Sequence, residues 1–277
     1  MTPSDPSGAL SERDARVLSR RERRVSPVFL ALVALAAVAG WALLRGRGLA
    51  AGTATGLVVF VFVSAAWVVS LCLHEYAHAR TALHSGDISV AAKGYLTLNP
   101  LKYTHALLSI VLPLLFVVMG GIGLPGGAVF IERGRIHGRL KHSLVSAAGP
   151  LTNAAFAVAC AAPFWLGLLD GAPAAFRSAL AFLAMLQVTA AVLNFLPVPG
   201  LDGYGVVEPW LPARLRAKLA PAAGWGLLAV FALLWIPELN RAFFDAVYAL
   251  LGALDINEAE VRWGWDWYRF WDGAPGA

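Results

Sequence analysis

Charge is what this chain has least of. Only 14% of its 277 residues are Asp, Glu, Lys or Arg, against 58% hydrophobic, and the mean hydropathy is +0.66. A soluble domain of this size carries roughly a quarter charged residues, so a water-soluble globular protein is excluded. Cysteine is almost missing. Cys72 and Cys160 both fall in apolar runs, form no disulfide framework and read as small apolar filler. No internal repeat, zinc-knuckle spacing or phosphate-cradling glycine loop is present. The net charge of +5 does not point to nucleic acid, because the basic residues are scattered through short loops beside apolar runs, as membrane orientation requires.

What the chain has in plenty is apolar sequence of bilayer length, at about 28–44, 49–73, 106–124, 143–168, 174–196 and 222–236. The expected class is an all-α polytopic membrane protein. Residues 1–24 form a basic leader with Arg13, Arg16, Arg20, Arg21, Arg23 and Arg24, resembling the flank of an uncleaved first span rather than a signal peptide. The organisation that follows is a first transmembrane helix within 25–48, a core over 49–215, transmembrane and interfacial helices over 216–254, and a Trp-rich tail over 255–277. Within the last part, 241–254 reads as an interfacial helix. The tail, with Trp263, Trp265, Trp267 and Trp271, reads as an aromatic anchor at the membrane surface.

The arginines before residue 28 place the N-terminus in the cytoplasm. A full crossing at 106–124 would put Arg133, Arg135, Arg139 and Lys141 outside, along with Arg214, Arg216 and Lys218. If 106–124 instead enters and returns, both basic loops become cytoplasmic. Pro113 and the glycines at 120–127 suit such a broken, re-entrant element. The expectation is about five transmembrane helices plus one re-entrant segment. The alternation of Ser89/Val90 and Tyr95 to Leu98 adds a short membrane-associated β-hairpin over 88–98, whose edge could hold an unwound substrate by strand addition.

At the end of the second apolar run stands His74-Glu75-Tyr76-Ala77-His78. A helix puts residues i and i+4 on one face, so both imidazoles can converge on one metal ion. Glu75 can then take a proton from a water activated there. Ionisable groups at such depth mark function. Catalytic zinc usually keeps three protein ligands, and a third is available in Asn194-Phe-Leu-Pro197-Val-Pro199-Gly200-Leu-Asp202-Gly203. There, the two prolines and the glycine unwind the end of a span, freeing Asp202 to point sideways. His84, His137 and His142 read as solvated or headgroup-facing, and His105 as structural.

HExxH followed by NxxPxxxLDG in a later span resembles the site-2 protease family of intramembrane zinc metalloproteases. Gly149-Pro150-Leu151-Thr152-Asn153 resembles the family's GPxxN signature, and Gly86-Asp87 through Asn99-Pro100-Leu101 is similar to the compact bacterial branch, which has no PDZ or CBS domain. The likeness covers roughly residues 50–215. It departs at Lys102-Tyr103-Thr104-His105-Ala106, where the branch usually has a His-x-Asp-Pro-like sequence, and in the glycine-rich stretch 120–127.

The resemblance implies one zinc ion per chain held by His74, His78 and Asp202, with Glu75 as general base. It implies substrate or oxyanion support from Asn194, and a supporting part for Asn153. The expected activity is hydrolysis of peptide bonds within or near transmembrane segments of other membrane proteins. The expected setting is a bacterial cell membrane, with the active site towards the cytoplasm. The sequence leaves the substrate and the oligomeric state open. Two other readings stand beside this one. An inactive relative could act as a membrane chaperone or adaptor, although an intact Glu75 gives a binding protein no benefit. A metal transporter could use the same ligands, although repeated halves are missing.

Overall fold

Ser26 opens the first helix by accepting the amide of Val28 on its hydroxyl at 3.2 Å, with Pro27 in the first turn where its missing N–H is harmless. The structure is a computed structural model that describes residues 25–46, 52–103 and 129–273, apart from the side chain of Leu227. Helix α1 (Pro27–Arg45) ends at Gly46, whose φ of 58° forms a left-handed cap. Helix α2 (Thr53–Ser85) follows, then a single turn α3 (Ser89–Ala92), then α4 (Arg139–Trp165) and α5 (Ala174–Phe195). Short α6 (Asp202–Val207), α7 (Ala213–Leu219) and α8 (Gly226–Leu234) lead to α9 (Pro237–Ala253) and α10 (Glu258–Tyr268). The expected basic leader, the re-entrant segment at 106–124 and His105 lie outside the described residues.

Among the described residues four helices, α1, α2, α4 and α5, are long and apolar enough to cross a membrane. The bent pair Ala213–Trp225 and Leu228–Leu234, angled at 74°, makes a fifth among the described residues if it counts as one span. The apolar run at 222–236 does not form a straight span, because the chain around Pro221 takes a 3-10 turn and Pro237 starts a new helix, leaving α8 nine residues long. Helix α2 exceeds its expected length. At 33 residues it runs through His74 and His78 to Ser85, about 50 Å against a hydrocarbon core of about 30 Å.

The four long helices alternate in direction. The amide of Ser26 donates to Thr97 O at 2.9 Å, tying the start of α1 to the segment that follows α2. At the opposite end, Trp165 Nε1 donates to Leu254 O at 2.5 Å. Helix α5 is the centre of the bundle, with every residue from Ser178 to Ala191 buried. Apolar burial drives little association between helices in lipid, so small side chains and interhelical hydrogen bonds carry the packing. Ala179, Ala181, Ala184 and Ala190 let neighbouring helices approach α5 closely.

One expectation is corrected here. Residues 88–98 hold no strand. They form α3 and a 3-10 turn at Tyr95–Thr97, and no strand occurs among the described residues. Asp87 Oδ1 accepts the amide of Ser89 and starts the helical turn, while Gly94 (φ 76°) and Leu98 (φ 56°) take left-handed conformations that extended chain cannot include. Ser89, Val90 and Ala91 are all buried, so no period of two exists. The proposed strand-addition edge falls with the hairpin.

The helix of the Trp-rich tail, α10, docks on the bundle. A Cβ on Gly264 would lie 2.1 Å from Ser178 O, so α10 packs on α5 almost backbone to backbone. Glu260 accepts from Ser178 Oγ at 2.7 Å and pairs with Arg177. Tyr268 is fully buried. Only the outer rings, such as Trp263 and Trp271, remain exposed.

Candidate metal centre

His74 and His78 lie one turn apart on α2 and face the other helices rather than the outside. His74, Glu75 and His78 are 5%, 3% and 6% exposed. The third residue arrives from α5. That helix stops at Phe195, and the chain turns through Pro197, Pro199 and Gly200 (φ 98°) before α6 starts at Asp202. Gly203 allows this tight restart, since a Cβ there would lie 2.2 Å from Phe195 O. The break expected from the prolines is thus present, and it turns Asp202 towards the histidines.

The donor atoms form a small triangle. His74 Nε2 and His78 Nε2 are 3.1 Å apart, and Asp202 Oδ2 lies 3.4 Å from the first and 3.3 Å from the second. Donors held at about 2.0–2.1 Å from a tetrahedral ion lie roughly 3.3–3.4 Å from one another, so the set fits a zinc-sized ion. Among the described residues this is the one cluster of His, Cys, Asp and Glu that could hold a metal. Cys72, buried two residues before His74, is not part of it.

Each imidazole is fixed through its other nitrogen. His74 Nδ1–H donates to Asn153 Oδ1 at 2.5 Å, and His78 Nδ1–H donates to the carbonyl of Val145 at 2.7 Å. Both bonds leave the Nε2 lone pair free for a metal, the usual arrangement for ligating histidines. Val145 lies on α4 in the stretch leading to Pro150. That proline stands inside the helix and has no N–H to give to the carbonyl four residues before it, that of Ser146.

Gly149 shapes the site by what it lacks. A Cβ added there would lie 2.2 Å from His78 Nε2 and 2.4 Å from His74 Nε2. A methyl group would therefore fill the space that faces both nitrogens. The glycine belongs to the quoted GPxxN signature, but nothing in the sequence assigned it this role.

Glu75 stands beside the triangle, with Oε1 4.0 Å from His74 Nε2. Its Oε2 accepts the amide of Val129 at 3.1 Å. The same incoming segment is pinned by Asp87, whose Oδ2 accepts the amide of Glu132 at 2.7 Å. Salt bridges from Lys93 to Glu132 (3.0 Å) and from Arg133 to Glu208 complete the link. Residues 87–97, 129–136 and 202–208 therefore gather at the end of the bundle that holds the triangle. Arg135 and Lys93 donate to Glu132 and hold its carboxyl well below the usual carboxylate range.

Asn194 is buried on the last turn of α5, eight residues before Asp202. Asn153 has both ends of its amide engaged, accepting from His74 and donating from Nδ2 to Gln187 Oε1 at 2.8 Å. Sequence reasoning passed over Gln187. Its signal is plain afterwards, as a lone amide in the apolar stretch Leu183 to Leu193.

Two proteins that carry the name "Putative zinc metalloprotease Rip2" are similar to nearly the whole chain. The one from Mycolicibacterium smegmatis is 48% identical over 258 residues, covering 91% of this chain and 96% of its own length. The one from Mycobacterium tuberculosis is 45% identical over 253 residues, with the same coverage. The chain belongs to the site-2 protease family. A more distant relative, "Putative zinc metalloprotease YwhC" of Bacillus subtilis, is 32% identical over 186 residues, 62% of this chain and 79% of its own. No family model matches the chain, and no solved structure matches it. Membership thus rests on near full-length likeness to whole proteins of the family, with the HExxH, GPxxN and NxxPxxxLDG elements as the residues that carry the resemblance.

Gly149→Ala tests the steric argument without altering any ligand. Alanine favours a helix interior over glycine by about 0.5–1 kcal/mol, so helical content should hold. Zinc retained on purification should fall by about tenfold or more, since close-packed surroundings leave the new methyl no other place. Zinc content equal to the wild type would contradict the geometry.

Proposed function

We propose that the chain is a zinc-dependent endopeptidase that cuts peptide bonds within or near the transmembrane segments of other membrane proteins. The observation that carries this reading is the triangle of buried His74 and His78 with half-buried Asp202, and the Glu75 carboxylate beside it, among helices of bilayer length. Family membership and the metalloprotease names of its relatives support the reaction class.

When bound by these three residues, one zinc ion per chain supplies the Lewis acidity that makes water nucleophilic at neutral pH and polarises a scissile carbonyl. The protein's own residues do the rest. Glu75 accepts the proton of the attacking water and returns it to the leaving amine, so one carboxylate serves as base and then as acid. Asn194 offers an amide donor to the developing oxyanion. The Asp202 carboxylate offsets positive charge at the centre. The surrounding helices hold bulk water to the one end where residues 129–136 and 202–208 meet. A substrate helix hides each peptide bond in its own hydrogen bonds, so it must unwind locally before it can be cut.

That end of the bundle carries Arg133, Arg135, Arg139, Lys141, Arg214, Arg216 and Lys218. We assign it to the cytoplasm on the positive-inside rule. A topology reporter inserted near residue 136 should then read as cytoplasmic, and an extracytoplasmic signal would reject this orientation.

The chemistry is tested with Glu75→Gln, purified in detergent beside the wild type and assayed on single-span model substrates. Both proteins should retain zinc, and cleavage by the variant should fall by about 10²–10⁴-fold, the usual contribution of a general acid–base. Equal zinc and equal cleavage would remove Glu75 from the mechanism. Zinc without cleavage in the wild type would favour a transported or structural metal.

A further inference from the structure

The hydrogen bond on His74 continues well past Asn153. Asn153 Nδ2 donates to Gln187 Oε1 at 2.8 Å, Gln187 Nε2 donates to Ser70 Oγ at 2.8 Å, and Ser70 Oγ–H donates to the carbonyl of Trp67 at 2.9 Å. The path leaves α2, crosses α5 and α4, and returns to α2. Ser70, Gln187, Asn153 and His74 are 1%, 0%, 3% and 5% exposed.

Its direction is fixed from one end. A backbone carbonyl can only accept, so Ser70 must spend its proton on Trp67 and keep its oxygen for an incoming donor. That donor is the NH2 of Gln187, which turns the Gln187 carbonyl towards Asn153. Asn153 then presents its NH2 to Gln187 and its carbonyl to His74. The last acceptor requires a hydrogen on His74 Nδ1, so the bare lone pair is on Nε2, facing Asp202 and His78. Water would let such a chain reverse at little cost. Buried among apolar helices it has no substitute partner. His78 needs no such chain, because a backbone carbonyl holds its Nδ1 directly.

We propose that Gln187 and Ser70 are positioning residues for the metal centre. Together with Asn153 they form a one-way relay that fixes the tautomer and ring orientation of His74. This rests on reading His74, His78 and Asp202 as the zinc ligands. Neither residue reaches the substrate or the metal, and their effect passes through the imidazole alone.

The test uses the full chain in detergent, with zinc affinity measured against a competing chelator and the visible spectrum of the Co²⁺-substituted protein as a second readout. Gln187→Leu removes both hydrogen bonds at similar volume. It should weaken zinc binding by about 10–100-fold, the usual range for partners behind a ligating histidine, and alter the Co²⁺ absorption. Gln187→Glu keeps the relay, because a protonated glutamic acid accepts from Asn153 and donates to Ser70. It should restore affinity and spectrum. If Gln187→Leu does not fold, Ser70→Ala, which frees the Gln187 amide, should still weaken zinc binding several-fold and shift the spectrum in the same sense.

Wild-type affinity and spectrum in Gln187→Leu, or in Ser70→Ala where that variant is needed, would overturn the relay. Equal losses in Gln187→Leu and Gln187→Glu would overturn it too, since hydrogen-bond direction would then be irrelevant. A wild type that binds no zinc would overturn the metal centre itself, a separate failure.

Discussion

Two imidazoles and two carboxylates set among apolar helices must find their partners inside the protein, and much of the structure follows from that requirement. Hydrocarbon offers no hydrogen bonds, so each polar atom left alone costs several kcal/mol. Here the partners come from every helix of the core. Helix α4 supplies Asn153 and the Val145 carbonyl, and α5 supplies Gln187. The chain before α4 supplies the Val129 amide. The same bonds that satisfy the site also join the helices, where burial of apolar surface contributes little.

The backbone is shaped to the same end. Helix α2 carries its polar stretch without interruption because protein, not lipid, covers it. Helix α5 is rich in alanine, so that its neighbours approach closely enough for short polar side chains to meet. Where an aspartate is needed at the end of α5, prolines end the helix and two glycines allow the chain to restart against it. Gly149 keeps the face of α4 bare where the nitrogens converge. The docked tail adds nothing to the site directly, but Gly264, Glu260 and Tyr268 clamp the far half of α5 that carries Gln187 towards its centre.

Much of this could be read in the sequence because the decisive signals are local. The i, i+4 histidines need only a helix, and the proline-broken NxxPxxxLDG run needs only the rules of backbone donors. The four long spans follow from apolar length. What escaped was set by tertiary contacts. The alternation at 88–98 looked extended, yet the Asp87 cap and the left-handed Gly94 and Leu98 decide it as helical turns. Nothing local shows that the tail docks on α5 through a bare glycine. Gly149 and Gln187 were visible as letters, but their roles depend on which atoms face them across the bundle. The run at 222–236 has the composition of a span, and the prolines at 221 and 237 that flank it go with a bent pair of helices that can count as a fifth crossing.

The central claim is that three specific side chains, and no sulfur, hold the zinc. X-ray absorption at the zinc edge of the purified full-length protein addresses it directly. The account predicts two imidazole nitrogens and carboxylate oxygen at about 2.0–2.2 Å. A scatterer at about 2.3 Å with the signature of sulfur would place Cys72 or Cys160 at the metal and contradict the centre described here.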